Sequence, residues 1–177
     1  MAVVVAALVG LSIVTGGTVA NATPDPDGPD TWSPEKSVTF QVPASGVDAS
    51  GARVASSTIT CAVSVDSPHY SAGASGVIAK IRSHCTGTCG CAPTVSVRVQ
   101  GLLSWSPTQL PYSSYQSMRT TDVTKVHKTD GTVYTTYIPP TGQIGSTLRG
   151  WYLATGTLNP AAAPAVSATN GPTDVTW

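Results

Sequence analysis

The stretch TVSVRVQGLLSW, residues 94–105, is the longest run in the chain that alternates apolar and polar side chains. Val95, Val97, Val99, Leu103 and Trp105 share one parity. Successive side chains of a β-strand point to opposite faces, so this spacing predicts a strand with one face turned inward. Gly101 breaks the series and marks either a bulge or the close packing of another backbone. The same period recurs outward from this stretch. Val38, Phe40 and Val42 form one set, Ile59, Cys61, Val63 and Val65 a second, and Val77, Ala79, Ile81 and Cys85 a third. Residues 148–158 read as another strand, and residues 175–177 as a closing edge. Asp130-Gly131, between residues 123–126 and 133–137, has the two-residue chemistry of a type I′ hairpin. No stretch of ten residues carries helical periodicity. The expectation is an all-β fold, an antiparallel β-sandwich or barrel of about eight strands with one core disulfide.

Composition agrees with that class. Charged residues make up 10% of the chain, against about 25% in an average globular protein. Thr, Ser, Gly, Ala and Val dominate, which favours pleated strands over helices. Nine Lys+Arg balance nine Asp+Glu, but Asp25, Asp27, Asp30 and Glu35 all precede Lys36. An acidic segment therefore leads a mildly basic domain. The basic surplus is small and unclustered, which argues against nucleic acid as the partner.

Residues 2–14 are almost uninterruptedly apolar and lead to Ala20-Asn21-Ala22. Their length suits a signal-peptide core and falls short of the roughly 20 residues of a membrane helix. Residues 1–22 are expected to be a signal peptide, with no membrane span in the mature chain, although no Lys or Arg precedes Lys36. The protein is accordingly expected to be secreted and extracellular. Removal leaves 155 of the 177 residues, enough for one domain with a real core. Residues 23–35, TPDPDGPDTWSPE, hold four prolines that remove amide donors and favour extended geometry. This acidic, Pro-rich tail reads as a solvated spacer or as a docking segment anchored by Trp32. The β domain is expected to span residues 36–177.

Four cysteines allow three pairings. Cys61 and Cys85 both occupy core-facing positions, so a bond between them would join neighbouring strands or the two sheets. Closing that loop of about 25 residues would contribute roughly 3.5 kcal/mol. Cys89 and Cys91 would form a tight bridge across one residue, and pairing either with Cys61 would require residues 86–88 to fold back. His84, Cys85, Cys89 and Cys91 are also ligands for a soft metal, but the spacing is not that of common zinc folds and an exported protein is normally oxidised. No metal or other cofactor is expected.

Catalytic signals are weak. Asp66, Ser67 and His69 bring triad residue types together in one turn, whereas a triad needs side chains converging from a scaffold. Paired carboxylates are scarce among Asp48, Asp66, Asp122, Asp130 and Asp174. Aromatic residues are more suggestive. Trp105, Tyr112 and Tyr115 flank the loop at residues 106–111, while Trp151 and Tyr152 are adjacent and must point to opposite faces. Core filling is the ordinary role of Trp105 and of one member of the 151–152 pair. Exposed members would stack on sugars or anchor a protein.

Residues 58–85, TITCAVSVDSPHYSAGASGVIAKIRSHC, resemble a segment of small secreted actinomycete proteins of unknown function. The shared features are a Cys within a TxxCxVxVD strand, a PHYS-Gly turn and a GVIxKxR strand ending in Cys. The resemblance implies secretion and a Cys61–Cys85 bridge, and carries no activity. The functional expectation is a secreted, non-enzymatic interaction module, a small subunit or adaptor of an extracellular assembly. Its binding candidates are Trp32, Trp105, Tyr112, Tyr115, Trp151 and Tyr152, with an extracellular protein as partner. A carbohydrate-binding module acting through exposed aromatics is the alternative. A hydrolase around Asp66 and His69, or a protease inhibitor using the Trp105 to Tyr115 loop, ranks third.

Overall fold

A computed structural model describes residues 32–42, 56–88 and 93–177. The expected signal peptide, residues 23–31 of the acidic tail, Asp48, Cys89 and Cys91 lie outside the described residues. Nine strands are present among the described ones: β1 (Lys36–Val42), β2 (Ser57–Val65), β3 (His69–Ser71), β4 (Gly76–Gly87), β5 (Thr94–Ser106), β6 (Gln116–Lys128), β7 (Tyr134–Ile138), β8 (Gly150–Pro160) and β9 (Val166–Val175). Their only helical companion among the described residues is a 3-10 turn, Tyr112–Ser114. The strands form two antiparallel sheets. One runs β1-β2-β4, with β3 and β7 both beside β4, and the other runs β6-β5-β8-β9. β3 pairs with residues 76–78 of β4 and β7 with residues 79–83, so the two share one edge in succession.

The inward parities meet between the sheets. Ile59, Val63, Val65, Val77, Ala79 and Ile81 from the first sheet pack against Val97, Val99, Leu103, Ala154 and Leu158 of the second, all essentially without solvent contact. Removing this apolar area from water is the main stabilising term. Cys61 and Cys85 are register partners on β2 and β4 and form a disulfide, with Cα atoms 4.1 Å apart. The bridge thus staples neighbouring strands of one sheet.

Gly101 marks a close approach, as its place in the alternation suggested, and the approaching group is a side chain. A Cβ at this position would lie 2.6 Å from Ile138 Cγ1 of β7 and 2.7 Å from Thr121 Cγ2. Its register partner on β8 is Gly156, where a Cβ would lie 2.8 Å from Val65 Cγ2. The two glycines form a shallow trough in one sheet that receives side chains of the other. The register shift along β5 falls later, between Leu103 and Ser104, where β6 carries one extra residue, Met118.

One expectation is corrected. Asp130-Gly131 does not close a hairpin, because β6 pairs with β5 while β7 pairs with β4 in the other sheet. Gly131 has the positive φ that the dipeptide signals, +86°. Its N–H, however, donates to the Cys85 carbonyl at 2.9 Å, and the Asp130 carboxylate accepts from the Thr132 amide at 2.9 Å and the Thr132 hydroxyl at 2.6 Å. These bonds hold the turn against the end of β4 and pass the chain from one sheet to the other. The chain just before β1 is also held against the sheet. Ser33 N–H donates to the Val65 carbonyl at 2.7 Å and Ser33 Oγ accepts from the Val65 amide at 3.0 Å. Contact with the sheet therefore begins before the expected boundary at Lys36.

Candidate functional site

On β4 the inward residues Val77, Ala79 and Ile81 alternate with Ile78, Lys80 and Arg82, which belong to the outer face. β7 lies alongside in a register that pairs Lys80 with Tyr137 and Arg82 with Thr135. Directly opposed residues of an antiparallel pair project to the same side, so these four side chains form one surface. Trp32, bridged in antiparallel fashion to Asp66 beyond the end of β2, joins it. Two loops rise over this surface, formed by residues 71–75 and 139–144, and enclose a groove of about 670 Å³.

The loop walls are tied down by backbone bonds. Gly145 N–H donates to the Ala74 carbonyl at 3.0 Å, and Val77 and Ser146 exchange amide bonds of 2.7 and 2.9 Å. Gly76 and Gly145 permit this approach, since a Cβ on either would meet the other's backbone within 2.7 Å. Arg119 donates to the Ile144 and Gly145 carbonyls, both at 3.2 Å. At the rim, Gln143 N–H donates to the Pro140 carbonyl at 3.1 Å across Gly142, whose φ of +88° is what a type II turn demands. The groove is therefore shaped by the fold itself.

Its chemistry combines cations, rings and neutral polar groups. The Arg82 guanidinium carbon sits 3.9 Å from the Trp32 ring centroid, a stacked cation–π contact. Arg82 forms no ion pair or hydrogen bond among the described residues. Lys80 Nζ lies 5.7 Å from the Tyr137 ring centroid. Burial, and secondarily the neighbouring Arg82 charge, lowers the Lys80 pKa from its ordinary 10.5. Tyr137 keeps 38% of its surface exposed. Ser71, Ser75, Thr135, Thr141 and Gln143 supply hydroxyls and an amide, and no carboxylate lines the groove among the described residues. Asp66 is buried nearby, accepting from the Lys80 amide while its own amide donates to the Lys80 carbonyl at 3.0 Å.

Of the six binding candidates read from the sequence, Trp32 lines this groove. Trp105 packs against the core, with its indole N–H donating to the Arg149 carbonyl at 3.1 Å. Tyr112 is exposed and its hydroxyl donates to the Gly171 carbonyl at 3.0 Å. Tyr115 and Trp151 are half-buried. Of the adjacent pair, Tyr152 is the core member: it is fully buried and its hydroxyl donates to Ser146 Oγ at 2.8 Å. Lys80, Arg82 and Tyr137 were not singled out from the sequence. The signal was present in residues 76–82, where each second residue of the inward parity leaves Lys80 and Arg82 together on the opposite face.

The other candidate clusters fare differently. His69 Nδ1 lies 2.9 Å from the Ser67 carbonyl and 3.6 Å from Asp66 Oδ2, while Nε2 is buried with no hydrogen-bond partner among the described residues. The Ser67 hydroxyl is not bonded to this ring, so the three residues do not form a relay. Cys85 is consumed by the disulfide, which takes it out of the soft-metal set, and His84 Nδ1 lies 3.8 Å from Glu35 Oε2. Comparison of the chain with protein-family models, curated proteins and solved structures yields no match, so the groove is read from its own chemistry.

Proposed function

We propose that the chain is a secreted, non-enzymatic binding module that holds an extracellular saccharide in the groove over β4 and β7. The observation that carries this reading is the lining: Tyr137 with an accessible ring, surrounded by the hydroxyl and amide groups of Ser71, Thr135, Thr141 and Gln143. A sugar offers an apolar ring face together with a rim of donors and acceptors, and aromatic side chains with polar neighbours match both. The volume supports the same class. Small-ligand sites occupy about 300–1,000 Å³, a range that includes this groove. A protein partner was the leading expectation, with Trp32 as its anchor, but Trp32 is stacked under Arg82 and serves the groove wall. Export is supported by the disulfide, which belongs to oxidising compartments. Among the described residues no helix is long and apolar enough to cross a membrane. The test is retention on a panel of insoluble polysaccharides and cell-wall material. Wild-type protein is expected to be retained and Tyr137→Ala to elute, with unchanged thermal midpoint. Failure of the wild type to bind any of them defeats the saccharide reading.

A further inference from the structure

Resting on the saccharide reading, we infer that the ligand is acidic, and that Arg82 holds a sugar carboxylate through a two-bond fork. The argument begins with what Arg82 lacks. It lines the groove beside Lys80, and no carboxylate of the described chain lines the groove with them. Its guanidinium is fixed by stacking on Trp32 at 3.9 Å, which leaves the N–H edge as the hydrogen-bonding part of the group. A planar guanidinium of fixed orientation matches the two oxygens of a carboxylate, and such charge-assisted pairs are about twice as strong as neutral hydrogen bonds. A low-dielectric wall around the fixed guanidinium strengthens such a charged pair further.

An acidic peptide would satisfy the same charge, but the position of the groove disfavours it. The floor is the face of a sheet, made of the side chains of β4 and β7, and is separate from the outer edge of β7, whose one strand partner among the described residues is β4. An extended peptide usually gains affinity by adding to a free strand edge. A uronic acid instead needs a ring face, hydroxyl partners and one anion site, and Tyr137, the Ser, Thr and Gln side chains, and Arg82 supply those in turn.

The experiment measures binding of soluble oligosaccharides of galacturonate, alginate and hyaluronan to the full chain by titration calorimetry, alongside their methyl esters and poly-aspartate. The esters keep the sugar rings and remove the charge. The expected result is that at least one acid binds at least tenfold more tightly than its ester, and that the preference declines with added salt. Arg82→Gln should remove the preference for acid over ester, and Arg82→Lys should fall between. Comparison of acid and ester on the wild type needs no variant to fold. Equal binding of acid and ester, lost together in Tyr137→Ala, overturns the carboxylate site and leaves the saccharide reading standing. Binding of poly-aspartate without any saccharide overturns both in favour of an acidic protein segment. Binding of none overturns both.

Discussion

His127 on β6 and Ser83 on β4 face each other from different sheets, both without solvent contact, with Ser83 Oγ 2.8 Å from His127 Nε2. Burial lowers the His127 pKa from 6.5, and the Lys125 charge adds to the effect. The folded state therefore binds a proton less readily than the unfolded chain. The stability contributed by the neutral ring is full above about pH 6.5 and is lost as the pH falls through that value toward the lower folded one. Urea unfolding between pH 7.5 and 5 should show a decline that is shallower in His127→Gln, and equal slopes would remove His127 as the cause. A residue whose importance is visible only in the fold is Ser33, which both accepts from and donates to Val65. Ser33→Ala leaves the Val65 amide without its acceptor and should cost about 1–3 kcal/mol in the same measurement. Apolarity alone misleads at this scale. Val126 looks like an inward strand residue yet is 63% exposed, and the neighbouring polar His127 is inside with its Nε2 against Ser83 Oγ.

At the level of strands, alternation made the core legible. The parities of β1, β2, β4 and β5 were readable because their inward positions are filled by Val, Ile and Leu, and the pairing of Cys61 with Cys85 followed from two such parities. Stabilisation by that bridge is expected at about 3 kcal/mol, so Cys61→Ala should lower the unfolding free energy by that order while retaining the all-β circular dichroism spectrum. Glycine carried positional information of a different kind. Gly101 and Gly156 are required by side chains of the facing sheet, and a methyl group at Gly101 would overlap both Ile138 and Thr121. Gly101→Ala should destabilise by about 1–3 kcal/mol as strands shift to make room. A cost below about 0.5 kcal/mol would show that Ile138 repacks freely. Connectivity was less legible. A positive-φ dipeptide such as Asp130-Gly131 fixes the local turn, but which sheet the following strand joins depends on distant partners, here the β4 carbonyl of Cys85 and the inward seat of Ile138.

The groove belongs to the whole molecule, which is why single stretches of sequence did not announce it. Its floor comes from β4 and β7, which are separated by all of β5 and β6. Its walls come from two loops joined by backbone bonds, and one corner comes from Trp32 near the start of the described chain. Sequence reading isolated Trp32 because it stood alone in acidic, Pro-rich surroundings, and assigned it to the tail for the same reason. In the fold its ring meets Arg82, its backbone bridges to Asp66, and the adjoining Ser33 is sealed against β2. Residues 32–35 are thus linked at once to stability and to the anion site. A chain beginning at residue 31 and one beginning at residue 36 differ by a segment that includes both contacts. The shorter chain should be less stable by about 2–4 kcal/mol, from the lost burial of Trp32 and the two Ser33 hydrogen bonds. It should also bind acidic oligosaccharides more weakly at temperatures well below its own midpoint, because an unstacked Arg82 must be ordered again by each ligand. Trp32→Phe in the full chain separates the two effects, since it keeps an apolar ring under the guanidinium and should retain most of the binding. Equal stability of the two truncated chains would return residues 32–35 to a linker and leave Arg82 to be oriented by β4 alone.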